Sequence, residues 1–464
     1  MKKIVYTVLA LALLVGSGCK KFVEGYDVSP NSPGAVTNAL LLSNTQVAYF
    51  ATANGQLSRQ TSMMIQQTTG VGFQSRDLND YAILEGDNVN EWTVIYTNGI
   101  VNLRKLHSQA GGANPYYQGI AKVMQAMFMG VATDLWGNVP NREAGFGNDG
   151  KFTPVYDNQE VVIQDIQSYL DEAIVNLSKT EDKNIMLPGA DDLIFGGDAK
   201  MWLATAHALK ARYHNRLSKK DAAGSATAAL TSVAAAKAAG FTSSSANCNA
   251  TFGQNSNEYN QWYAFTVVER AGYIVTGASM TNIMNAWNDP RLAYYCLPDS
   301  GGEFRGTPAN VANDQASEVG PYLATADAAF PLVSYAEILF IEAEANFRKG
   351  DKAAAATAFN DAVKASVNDV TGGPDATFEA AQAAETAGSI TLEKIMTHKY
   401  VAMFGQIEAY ADWRRTNIPA LTPNPEGGSI TAIPRRLPTV QDERLYNPNA
   451  PAENDITKPV WWDL

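Results

Sequence analysis

Apolar residues recur at helical spacing along most of the chain beyond residue 36. The pattern is clearest over 334–366, SYAEILFIEAEANFRKGDKAAAATAFNDAVKAS. Ile338, Leu339, Ile341, Ala345 and Phe347 mark one stripe; Ala355, Ala358, Phe359, Ala362 and Val363 mark a second. Gly350 between them suits the left-handed residue that ends a helix, and Asp351 can cap the helix that follows. Small Ala343 and Ala355 allow two helices to approach closely, with Phe359 and Ala362 as a large and a small packing residue. One such pair cannot bury its own apolar face, so neighbours must stack on it.

Further helices are predicted over 36–52, 56–69, 92–107, 116–135, 158–177, 199–217, 222–239, 378–386 and 391–411. The offsets in 334–366 resemble one tetratricopeptide-type repeat, with Glu342 and Asn346 where that pattern has Leu and Tyr. An ordinary helical hairpin is the alternative. The pair 199–217 and 222–239 has a similar Ala-rich second member. Residues 70–91, 141–154 and 181–197 read as loops. Over 240–330 the periodicity fades into Gly, Ser, Asn and aromatic residues, an irregular insertion with short strands. The Pro-rich tail, 412–464, is expected to wrap the surface. The fold class is therefore mainly α, tetratricopeptide-like helix pairs with an irregular loop-rich insertion, in a single domain over 36–464.

The first residues break this pattern. Lys2 and Lys3 precede an apolar run, IVYTVLALALLV at 4–15, too short to span a bilayer as a permanent helix. Gly16, Ser17 and Gly18 then lead directly to Cys19. This is a secretory signal peptide over 1–18. A cysteine directly after the small residues resembles a bacterial lipobox, with Gly16 where Leu is preferred. Acylation of Cys19 would anchor the chain in a membrane, since two or three acyl chains hold firmly where one does not. Residues 19–35 read as a polar tether. No later stretch is long and apolar enough for a transmembrane helix.

Composition narrows the function. Hydrophobic residues make up 46% and charged residues 18%, a globular balance. The net charge of -12 argues against binding nucleic acid or anionic lipid by charge. Cys248 and Cys296 could form a disulfide in an oxidising compartment or stay as buried thiols. Gly145–Lys151 matches most of a phosphate-binding loop, but Phe152 stands where Ser or Thr should bind magnesium and Pro154 blocks the following helix. His207 and His214 lie two turns apart on one helix, too far to share a metal ion easily. Carboxylates are plentiful, yet no pair is flagged by its context, so no catalytic residue, metal site or cofactor is assigned.

A series of segments then carries a specific resemblance. DVSPNSPGAVT follows the lipobox, and EWTVIYTNGIVNL, ATDLWGNVPNREA, MNAWNDPRLAYY, SYAEILFIEAEANFRKGD, KYVAMFGQIEAYADWRRTNIPAL and PRRLPTVQDERLYNPN come in order. Their wording resembles the SusD/RagB family of outer-membrane lipoproteins of Bacteroidetes, in its SusD-like subgroup. The resemblance implies a helical fold with tetratricopeptide-like pairs and an irregular region carrying ligand contacts. It implies a lipid-anchored protein on the cell surface that caps a SusC-like TonB-dependent transporter barrel and captures an oligosaccharide or a peptide. Lys20 and Lys21 follow the cysteine here, with Glu24 the one early acid, where surface-exported members often carry acidic residues.

Trp413, Arg414 and Arg415, and likewise Asp134, Trp136 and Gly137, are expected to be scaffold at helix ends. Ligand contacts are expected in loops. A sugar stacks the CH groups of its face on an aromatic ring while Asn, Asp, Gln or Arg take its hydroxyls. Two regions combine those residue types: Phe73, Arg76, Asp77 and Tyr81; and 257–295 with Tyr259, Trp262, Trp287 and Tyr294. Trp92, heading a helix, is expected in the core. Two other classes stay open: an exported glycoside hydrolase, which needs a close carboxylate pair in a cleft, and a repeat scaffold that binds only protein partners.

Overall fold

The computed structural model describes residues 36–464. Residues 1–35, on which the expected signal peptide, the Cys19 anchor and the tether fall, lie outside the described residues.

α1 (Asn38–Asn54) is capped by Thr37, whose hydroxyl accepts from the Leu40 amide, and runs into α2 (Gln56–Met64). β1 (Thr68–Gly70) and the short α3 (Phe73–Asn79) follow. The region read as a loop over 70–91 thus contains a helix. Then α4 (Val89–Thr93) passes through a π-helical stretch, Val94–Ile100, into α5 (Val101–Ala110). A Cβ on Gly99 would lie 2.9 Å from the Phe128 ring, so the π-helical turn sits tight against the next helix. That helix is α6 (Pro115–Trp136), almost wholly buried. α7 (Gln159–Leu177), α8 (Ala199–Arg216) and α9 (Ala222–Ala238) complete the first half.

The insertion holds β2 (Cys248–Ala250), α10 (Gln261–Tyr263) with a π-helical extension over Ala264–Glu269, and β3 (Ile274–Thr276). α11 (Ala278–Trp287) and α12 (Leu292–Tyr295) follow, then β4 (Phe330–Val333). The sequence had no clear period here, yet α11 is a ten-residue helix. α13 (Tyr335–Arg348) and α14 (Lys352–Thr371) are the pair read from sequence. Gly350 is left-handed at φ 84°, and the Asp351 carboxylate caps the Ala354 amide. α15 (Ala376–Gln382), α16 (Leu392–Ala402), α17 (Ile407–Thr416) and α18 (Gln441–Tyr446) end the chain.

The long helices stack in chain order, as a repeat requires, with the insertion passed over. α6 packs on α7, α7 on α8, α8 on α9, α9 on α13, and α13 on α14. Ala343, Ala355 and Phe359 are fully enclosed at the last pairing. Two small antiparallel sheets tie the insertion down. β1 pairs β3 with Thr68 opposite Thr276 and Gly70 opposite Ile274. β2 pairs β4, closing the insertion on itself. No helix among the described residues is long and apolar enough to cross a membrane.

Two expectations need correction, and the alternative left open for the cysteines is decided. The long helix over 391–411 is two helices, because Gly405 takes φ 74° and α17 starts afresh after it. The Gly405 amide donates to Gln67 Oε1 at 3.1 Å and its carbonyl accepts from the Ser58 hydroxyl, so α2 fills the break. The tail does not merely wrap the surface: Leu437, Val440, Ile456, Val460 and Trp462 are buried in the core. Cys248 and Cys296 are free thiols, both buried; burial pushes the Cys296 thiol up to about 12. The phosphate-loop look-alike forms one 3₁₀ turn at Gly147–Asp149, with Lys151 paired to Glu143 at 2.9 Å.

Candidate functional site: an aromatic shelf between β1 and β3

The pairing of β1 with β3 brings residues some two hundred positions apart side by side. Past the last ladder pair, the Val71 amide donates to the Tyr273 carbonyl at 2.9 Å. The next residues are Gly72 and Phe73. Phe73 starts α3 with φ 46°, a conformation that costs an L-residue on the order of 1–3 kcal/mol and clusters at ligand sites. Phe73 is 72% exposed, and its ring stacks on Tyr273, centroids 4.7 Å apart and planes 23° apart. Phe265 meets Tyr273 edge-on at 6.4 Å, and the Arg59 guanidinium lies 4.3 Å over Phe265. Burial lowers the Arg59 pKa, and Glu91 and Glu269 offset part of that. The result is a shelf whose outer ring faces solvent, with Gln74 and Asp77 exposed on the same short helix. A flat apolar ring flanked by an amide and a carboxylate can take a sugar face and its hydroxyls.

Of the residues picked from sequence, Phe73 and Asp77 stand at this shelf. Arg76 supports it: its Nε donates to Asp80 at 2.6 Å and its Nη1 reaches the Ala309 carbonyl at 3.4 Å. Tyr81 is buried, and its hydroxyl accepts from the Asn424 amide at 2.9 Å. It fastens the 424 segment, so it is withdrawn as a ligand contact. Trp262 is withdrawn for the same reason. It is fully buried, with Nε1 donating to Ser58 Oγ at 2.9 Å. Trp287 is half-buried, stacked on His398 at 3.9 Å, and Tyr294 donates to the Thr371 carbonyl at 3.3 Å. These two pack against α16 and α14, away from the shelf. Tyr259 lines a separate groove beside α1. The sequence reading missed Tyr273, Phe265 and Arg59. Each is an unremarkable residue until β1–β3 pairing and the turn at Phe73 assemble them.

The other motif segments converge elsewhere, in a buried ionic cluster. Arg415 grips Glu344 at 2.7 Å and 2.8 Å and also bonds Asp412, which takes Lys399 at 2.6 Å. Arg212 holds Glu337 through two bonds of 2.6 Å. Arg216 bridges Asp134 at 3.0 Å and Glu408. Arg414 donates to the carbonyls of Asp134 and Arg435, and Arg436 donates to the Trp136 carbonyl. Gly137 turns the chain at φ 82°. Thus α6, α8, α13, α17 and the tail are pinned at one place. Trp413, Arg414, Arg415, Asp134, Trp136 and Gly137 are scaffold, as expected. Burial raises the Asp134 pKa and Arg216 opposes it. A cavity of about 40 Å³ between Asp134, Arg212 and Glu408 has room for water.

Comparison with known proteins agrees with this architecture. Residues 30–438 match a family described as SusD-like, starch-binding and associating with the outer membrane. A SusD/RagB family protein from Bacteroides thetaiotaomicron superposes with a TM-score of 0.75 at 23% identity, over 92% of this chain and 99% of that one. A chitin-binding protein superposes at 0.78 and 23% identity, over 92% and 100%. A chitin-binding SusD homologue from Flavobacterium johnsoniae gives 0.76 and 24%, over 91% and 97%. A search of curated sequences finds no match. With the family match spanning most of the chain and the helix pairs and motif cluster in place, this protein belongs to the SusD-like family.

Proposed function

We propose that the protein is a non-catalytic, lipid-anchored glycan binder on the outer face of the outer membrane, which passes its ligand to a TonB-dependent transporter barrel. One observation carries the binding site: Phe73 keeps a strained backbone to present an exposed ring already backed by Tyr273. A ring that served packing would be buried; this one faces outward, the arrangement that stacking on a sugar needs. Two structural neighbours are chitin-binding proteins, so β-1,4-linked N-acetylglucosamine oligomers come first among ligands to test. Anchoring would rest on acylated Cys19, and 36–464 would act as one domain on the tether of 19–35.

Calorimetric titration of the purified protein with an oligosaccharide panel tests the site. Covering one aromatic ring contributes about 1.5–3 kcal/mol, so Phe73→Ala should weaken binding about tenfold or more. The melting temperature should hold, because Phe73 is exposed. Unchanged affinity in both Phe73→Ala and Tyr273→Ala would sink the shelf as the site. Gentle detergent extraction of the native outer membrane tests the partner: a stoichiometric β-barrel protein should co-purify, and its reproducible absence would leave a lone binder. Replacing Cys19 with Ala should release the protein from the membrane fraction.

A further inference from the structure

The segment that delivers Tyr273 to the shelf also lines a second concavity at its other end. Between residues 251–261 and α1 lies a groove of about 390 Å³, inside the ~300–1,000 Å³ span of small-ligand sites. Val47, Phe50 and Ala51 line it from one face of α1, at i, i+3 and i+4. Val47 is 55% exposed and Ala51 is exposed, although most of α1 is buried. Phe252 meets Phe50 with ring centroids 5.9 Å apart. Tyr259 is braced edge-on by Tyr263 at 5.0 Å. Asn257, Glu258 and Gln261 add polar groups to this lining. Among the described residues lining the groove, Glu258 is the one acidic side chain and none is basic, so an anionic ligand would find no cationic partner in this lining and a neutral hydroxylated one needs none.

Packed side chains link the groove to the shelf. Arg59 Nη1 donates to the Gln261 carbonyl at 3.1 Å, while its guanidinium covers Phe265. Phe265 leads to Tyr273, and Tyr273 to Phe73. A line of rings and one cation therefore joins the two features along 259–273.

We propose that this groove is a second subsite for the same neutral glycan chain, holding a sugar ring on Tyr259, Phe252 and Val47 while Asn257, Glu258 and Gln261 take its hydroxyls. The proposal rests on reading the shelf as a glycan site. Short oligomers occupy the shelf alone; longer ones reach both, and the second contact becomes intramolecular.

Calorimetry on the purified protein with β-1,4-linked N-acetylglucosamine oligomers, from dimer to octamer, tests it. The expected result is an affinity that rises with length by about tenfold or more. Ala51→Arg, which fills the groove from an exposed helical position, should remove that rise and keep the dimer's affinity. Tyr259→Ala should act in the same direction, and melting curves would show both variants folded. Phe73→Ala should weaken every length. Groove variants that match the parent at every length would overturn the second subsite and leave the shelf reading standing. Failure of every oligomer to bind the parent protein would overturn the shelf reading and the second subsite together.

Discussion

At the scale of single residues, the most consequential side chains for stability are buried charges. Arg415 is fully enclosed between Glu344 and Asp412. Removing it would take the two-pronged partner from buried Glu344 and leave Asp412 to Lys399 alone, a loss on the order of 3–5 kcal/mol. Arg415→Met should therefore shift the urea midpoint strongly, whereas Arg142→Met, which removes an exposed side chain, should cost about 0–1 kcal/mol. Burial pushes the Glu344 carboxyl up, but Arg415 and then Arg348 outweigh it and hold it down to about 2. Its folded pKa lies below its unfolded one. The stabilisation is therefore full above the ordinary carboxylate range and is lost as pH falls through about 2. His398 works at milder acidity. Burial, with Arg291 and Lys394 nearby, lowers its pKa well below 6.5. It is stacked under Trp287, and its Nδ1 has no partner among the described residues. A base depressed in the folded state stabilises above its unfolded pKa and loses that contribution as pH falls below about 6.5. His398→Phe should flatten the decline in melting temperature between neutral pH and pH ~5; an unchanged decline would remove His398 as its cause.

At the scale of elements, close packing decides where helices run and stop. Gly130 lies in the middle of α6, and a Cβ there would stand 1.8 Å from the Tyr213 hydroxyl on α8. Gly130→Ala should force those helices apart and cost about 1–3 kcal/mol despite alanine's better helix propensity, readable as a lower urea midpoint. Gly405 is the other critical glycine. A side chain there would be strained at φ 74° and would press on Leu323 at 2.7 Å. The periodicity over 391–411 runs through this point because both α16 and α17 bury apolar faces. The break comes from Ser58 of α2 and Gln67 just beyond it bonding to Gly405, which no local pattern announces. The helix pair at 334–366 was legible to its cap and its turn, because Gly350 and Asp351 act within their own hairpin. The short α3 was not, since its start depends on Tyr273.

At the scale of the whole molecule, stacked pairs form a frame that the tail closes. Trp462 is fully buried, with the Arg414 guanidinium 4.5 Å from its ring, and Arg435 reaches back to Asp463. A chain ending at residue 433 would lose Leu437, Val440, Ile456 and Trp462 from the core and should show no cooperative unfolding transition; one that melted like the full chain would reduce the tail to a covering. The motif segments ATDLWGNVPNREA, AYADWRR and PRRLP meet in one buried cluster, so what they specify is the frame and not the ligand. The ligand-facing surface lies on short irregular segments that the frame holds in place.

The amino-acid sequence by itself determined what depends on neighbours along the chain: helix periodicity, the Gly350–Asp351 turn, the order of motif segments and the mainly α class. Those features need only interactions within a turn or two of helix. It singled out Phe73 by residue type, but it also picked Trp262 and Tyr81, because exposure is not written in residue type. Whether an aromatic ring faces solvent or a core depends on which distant segment packs against it. Trp262 is claimed by Ser58, Tyr81 by Asn424, and Phe73 is left open because the residue just before β3, Tyr273, backs it and no other described residue covers its outer side. Only the tertiary structure makes those pairings, and with them the shelf.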